Sequence, residues 1–226
     1  MRNFIFVLSI LICSSIILSC ESQPKGRIET KFQNYVNENF GNPKDLIEII
    51  SVVETDSFDV LSHVNKIEDV SLDSLQKIML TYSERLLYLA PKLPNQKREE
   101  ISKKLLPLIV EVQSTHIHDI SSCNSKREKL RQLAAGIDST MAVSRSYTIK
   151  ARIRQGGEIM VKEYHATDCF AIDSVVFSDT PIKVADFPNQ MSEIVTTIGD
   201  FWDIIKKYLA YNDRLLNLIR ECELYI

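Results

Sequence analysis

The residues best suited to chemistry lie in two short stretches. His116-Ile117-His118-Asp119 is followed by Cys123, and His165, Asp168 and Cys169 stand close together further along. Imidazole, thiolate and carboxylate are the ligand set of zinc, and three of the four histidines are here. His116, His118, His165 and Cys169 are therefore the candidate metal ligands. On a helix His116 and His118 would point about 200° apart and could not grip one ion; on a strand they would share a face. The alternative is polar side chains at a helix end and on a strand surface. A second candidate is Arg145 with Asp168, either a ligand-binding or proton-transfer dyad or a cross-strand ion pair at a sheet edge.

A hairpin positions half of these residues. From Met141 to Ile153 the odd positions Met141, Val143, Tyr147, Ile149, Ala151 and Ile153 are apolar, with Arg145 the exception, and the even positions from Ser144 are polar. That is a strand with one wet face. Gly156-Gly157 then supplies a two-residue turn, both positions being free to take positive φ. Folding back there sets Ile153 opposite Met160, Ile149 opposite Tyr164, Tyr147 opposite Ala166 and Val143 opposite Phe170. It also sets Lys150 opposite Glu163 and Arg145 opposite Asp168, and a slip of one residue would destroy the agreement.

The remaining elements follow from periodicity. Ile28, Phe32, Tyr35, Val36 and Phe40 predict a helix over 27–40, stopped by Gly41 and Pro43. The β-branched run Leu46–Val53 predicts a strand, and 55–70 reads as loop and short helix. Ser71 or Asp73 caps a helix with Leu75, Met79, Tyr82, Leu86 and Leu89, ended by Pro91 and Pro94. A second helix with Ile101, Leu108 and Val112 carries a kink at Pro107, and a third covers 125–135. Short strands are expected at 175–177 and 182–184. The last helix, from Gln190 to Leu224, would reach about 50 Å if unbroken. That length calls for a break near Tyr211-Asn212-Asp213, a protruding end or a partner helix. The fold class is α+β: mostly helical, with an antiparallel hairpin sheet over about 141–177 packed against helices and a long C-terminal helix.

The first residues read as an address. Arg2 precedes the apolar run Phe4–Leu18, too short for a membrane span of about 20 residues but suited to a secretory signal. The run ends Ile17-Leu18-Ser19-Cys20, which resembles the lipobox of bacterial lipoproteins. The resemblance implies cleavage before Cys20, with acyl chains of palmitate type on its sulfur and nitrogen. It divides the chain into a signal peptide (1–19), a lipidated tether (20–26) and a single α+β domain (27–226). Tyr35–Asp45 and Tyr164-His165-Ala166-Thr167-Asp168-Cys169-Phe170 are similar to segments of small uncharacterised lipoproteins of Bacteroidetes type. This likeness implies a membrane-anchored place in the cell envelope, at the outer membrane and facing the periplasm or the exterior, and brings no activity with it.

Composition narrows the function classes. The chain has 226 residues, 45% hydrophobic and 25% charged, with a net charge of −3, which suits a packed core and excludes a disordered tail. Its 27 basic residues are outnumbered by 30 acidic ones, against nucleic-acid binding. Phosphate-loop, nucleophile-elbow, zincin and paired-cysteine motifs are absent from the sequence. Cys123, Cys169 and Cys222 allow one bridge at most, and buried free thiols are the simpler reading. The expectation is a non-enzymatic envelope protein, structural or binding another envelope protein through its last helix or a sheet edge. It requires no cofactor. The alternative is a small-ligand or metal-binding module.

Overall fold

The structure, a computed structural model, describes residues 24–40 and 45–226. Cys20 and the residues of the lipobox lie outside the described residues. The described residues of the region read as one domain, 27–226, fall into two compact units, each drawn from separate stretches of the chain. Of the described residues, 24–40, 45–60 and 137–192 form one; residues 61–136 and 193–226 form the other.

Among the described residues the first unit is a four-stranded antiparallel sheet in the order β1-β2-β3-β4, with a helix on it. Helix α1 (Pro24–Phe40) presents Ile28, Phe32 and Val36, successive turns of one face, and all three are buried. They pack on Val52, Tyr147, Ile149, Ala151, Ile153, Tyr164 and Ala166. Phe32 meets the Tyr164 ring at 5.1 Å, and Tyr35 meets Phe177 at 5.0 Å.

Strands β2 (Val143–Gln155) and β3 (Glu158–Cys169) form the expected hairpin. The register runs from Gln155 opposite Glu158 to Arg145 opposite Asp168, and Gly156 and Gly157 hold φ of 62° and 88°. The pairing of Val143 with Phe170 does not form. Phe170–Ile172 is a 3-10 turn, and Val143 pairs with Asp59.

Strand β1 (Leu46–Asp59) continues well past Val53, through residues expected to be loop and short helix. Its register against β2 shifts three times, between Leu46 and Glu48, Ile49 and Ser51, and Glu54 and Asp56. Each bulge breaks the two-residue alternation and bends an edge strand, so the pattern no longer looks like a strand. Strand β4 (Ser174–Ser178) pairs with β3. The second short strand expected at 182–184 is absent: Val184–Asp186 makes a 3-10 turn, the Asp186 carboxylate accepting the Lys183 N–H.

The second unit is a helical bundle. Helix α2 (Val60–Asp69) starts at the unit boundary. Helix α3 (Leu72–Leu89) is capped by Ser71, whose hydroxyl accepts the Ser74 N–H at 3.2 Å, and ends at a turn containing Pro91. Helix α4 (Asn95–Ala134) is one helix of 40 residues where two were expected. Its buried positions Ile101, Leu108, Val112, Asp119, Cys123 and Leu130 recur at alternating steps of seven and four, keeping one face inward through Pro107 and the polar stretch around His118.

Helix α5 (Asn189–Glu223) runs for 35 residues through Tyr211-Asn212-Asp213 without a break. Ion pairs Lys126–Asp200, Lys207–Asp119 and Lys104–Glu221 show it antiparallel to α4. Asn212 to the Leu75 carbonyl and Arg85 to Glu223 show it parallel to α3. Of the three fates open to this helix, the partner helix is the one taken.

Candidate functional site

In the sheet unit the polar centre is not the dyad read from the hairpin. Arg145 and Asp168 are opposite in register, but their side chains take other partners. Arg145 Nη1 donates to Glu54 on β1 at 3.0 Å. Asp168, fully buried, accepts from Arg27 on α1, with Nε to Oδ2 at 3.0 Å and Nη2 to Oδ1 at 3.4 Å. The same guanidinium reaches Asp173 at 2.5 Å and lies 4.6 Å from the centre of the Phe170 ring. Asp173 sits at φ 49° just after the turn that ends β3, a left-handed position that aims its carboxylate back at α1.

The electrostatics follow the burial. Loss of water pushes the Asp168 carboxyl above its ordinary range, and Arg27 only partly offsets this. Burial pulls the Arg27 guanidinium down, but the hydrogen bonds it donates to Asp173 and Asp168 hold it above its usual value, while Asp173 is drawn down by Arg27. A guanidinium saturated by two carboxylates and an aromatic face has little left for a ligand. Its effect is to fasten the start of α1 to the end of the sheet.

The metal set does not assemble. His116 and His118 lie on α4 in the helical unit, where helix geometry splays them, and His165 and Cys169 lie on β3 in the sheet unit. Among the described residues, no group of three or more His, Cys, Asp or Glu side chains is placed to hold a metal ion. His118 is exposed. His165 is half-buried on the sheet face away from α1, opposite Thr148 and Ser178. Cys169 is buried; burial, reinforced by the charge of Asp168, raises its thiol to about 11. Cys123, Cys169 and Cys222 are all free and buried.

His116 belongs instead to a polar layer between α4 and α5. Asp119, at a core position, accepts from Lys207 Nζ and from the Tyr208 hydroxyl at 3.2 Å. The Tyr208 hydroxyl lies 3.1 Å from His116 Nδ1. Because its single proton goes to Asp119, His116 must present an Nδ1–H to the phenol oxygen. One turn away, the Tyr211 hydroxyl donates to Glu111 at 2.9 Å. Burial, then the charge of Asp119, raises Tyr208 far above the ordinary phenol range, and Tyr211 is raised to about 12 by burial and its bond to Glu111. Neither phenol is an acid or base at neutral pH. The layer fixes the register of two long helices.

Two other features of the bundle bear on binding. A cavity of about 540 Å³ lies where α2, α3 and α4 meet, lined by Glu68, Ser71, Asp73, Cys123, Arg127 and Arg131. Its guanidiniums are already engaged: Arg127 donates to the Ile67 and Val70 carbonyls at the end of α2, and Arg131 pairs with Glu68 at 2.6 Å. The outer face of the α3–α4 hairpin is apolar and bare. Leu80 on α3 lines a small groove of about 120 Å³ with Ile109 and Gln113 of α4, and Leu87 of α3 and Leu106, Val110 and Ile117 of α4 are all mainly exposed.

Sequence reading missed Arg27, which stands beside a polar tether with no periodic signal, and the partners of Asp119 on a helix far along the chain. The bare face did leave a signal. Leu105-Leu106-Pro107-Leu108-Ile109-Val110 is apolar on every side of a helix, and such a turn is normally covered all round.

No match is found. Neither protein-family models, nor curated proteins, nor solved structures yield a relative of this chain. No described helix is long and apolar enough to cross a membrane.

Proposed function

We propose that this is a non-enzymatic protein of the bacterial cell envelope, held at the membrane by lipid on Cys20, that works by binding protein. The order of Arg2, apolar run, Ser19 and Cys20 supports the anchor. Each buried methylene contributes about 0.8 kcal/mol, so two or three chains hold a protein almost permanently. The observation that carries the binding role is the exposed apolar residues of α3 and α4, Leu80, Leu87, Leu106, Val110 and Ile117. Contiguous apolar surface of this kind marks interaction sites.

A photo-crosslinking residue at position 110, in the full chain expressed in its own membranes, tests this. A protein adduct is the expected product. Adducts to lipid alone, or none, would overturn the binding role.

The cavity of about 540 Å³ favours a second reading, a small-ligand module, since ligand sites fall in that size range. Under that reading Arg127 must release its backbone carbonyls to accept a ligand. Arg127→Lys should then abolish ligand-induced stabilisation while the adduct from position 110 persists.

A further inference from the structure

We infer that the partner at the α3–α4 face is a second copy of this chain, the two copies packing antiparallel. The inference rests on the protein-binding reading above and names its partner. Leu106, Val110, Gln113 and Ile117 are spaced four, three and four, which places them within about 60° of one another on α4, as on a coiled-coil seam. The buried face of that helix, with Leu108 and Val112, points away from them. The spacing reads the same from either end. An antiparallel copy therefore brings Leu106 against Ile117 of its mate and Val110 against Gln113, as a two-fold interface requires.

Area agrees. Leu80, Leu87, Leu106, Val110 and Ile117 are 56%, 68%, 61%, 63% and 82% exposed. At roughly 100 Å² each they offer about 500 Å² of apolar surface per copy. With a polar rim that approaches the roughly 800 Å² per partner of a standard stable interface. Charge agrees as well. Lys103, one turn before Leu106 on the same line, falls opposite Ile120 of the mate in this register, and Pro107, Ile109 and Ser114 flank the seam, so like charges do not meet along α4.

The test uses two differently tagged full-length copies in the same membranes, each with one new cysteine. Val110→Cys with Gln113→Cys, and Leu106→Cys with Ile117→Cys, should give oxidative crosslinks containing both tags. Leu106→Cys in both copies should not, because in this register the two sites lie about 16 Å apart along the helices. The native thiols at 123, 169 and 222 are buried, so the unsubstituted pair of copies serves as the blank. All these substitutions are at exposed or rim positions, and unchanged helical circular dichroism checks the fold. Crosslinks that ignore register, or no mixed-tag product, would overturn the two-copy interface. If the adduct from position 110 then contains another protein, the binding role stands and only this inference falls; if it contains lipid alone, both fall.

Discussion

Among the described residues two carboxylates are buried, and they are held differently. Asp168 in the sheet unit is fully buried and faces one guanidinium, which it shares with an exposed second carboxylate. Asp119 in the helical unit lies mid-way along a seam and receives an ammonium and a phenol from successive residues of one helix. The first arrangement ties down a single point, the start of α1. The second fixes one level of α5 against one level of α4 and so selects one longitudinal register from several that an apolar seam alone would accept. A planar fork suits the point contact, and a flexible ammonium beside a rigid ring suits the seam.

The largest expected effect breaks the comparison on the sheet side. Arg27→Ala leaves Asp168 buried without its cation and should cost about 3 kcal/mol at pH 7 in urea unfolding. The loss should shrink in acid, where Asp168 takes up a proton. Lys207→Met should cost less, about 2 kcal/mol, because Asp119 keeps the Tyr208 hydroxyl. Equal losses would mean that the second donor contributes nothing. Tyr208→Phe should cost about 1 kcal/mol alone. Combined with Lys207→Met it should exceed the sum of the two single losses, since Asp119 is then left with no donor from α5.

The smallest effect is a slope. The Asp168 carboxyl is raised in the folded state, so the native protein binds that proton more tightly than the unfolded chain. Its contribution to stability is full below the ordinary aspartate range, near pH 4, and is lost as pH rises through the raised value. Asp168→Asn should flatten the fall in urea midpoint above about pH 4. Asp173, drawn down by Arg27, gives the opposite slope at lower pH, so the two separate.

Legibility tracks locality. The hairpin could be read because its turn, alternation and opposed charges all lie within one continuous stretch, and its register holds from Arg145 to Gln155. The end of β1 could not, because three bulges erase the alternation. The continuity of α4 was hidden because Asp119, at a core position, makes the middle of the helix look like a surface loop. The true partners of Arg145 and Asp168 come from β1 and α1, remote elements that carry no mark of the pairing in the hairpin itself. The Leu105–Val110 run was visible as apolar, but which of its sides stays bare depends on where α3 and α5 lie.

The envelope reading stands or falls on Cys20. Intact mass spectrometry of the protein from its own membranes, beside a Cys20→Ala variant, measures it directly. The expected product is a chain starting at Cys20 and carrying acyl chains, with that mass lost in the variant. An unacylated chain cut near Ser19, the same with and without Cys20, would contradict it.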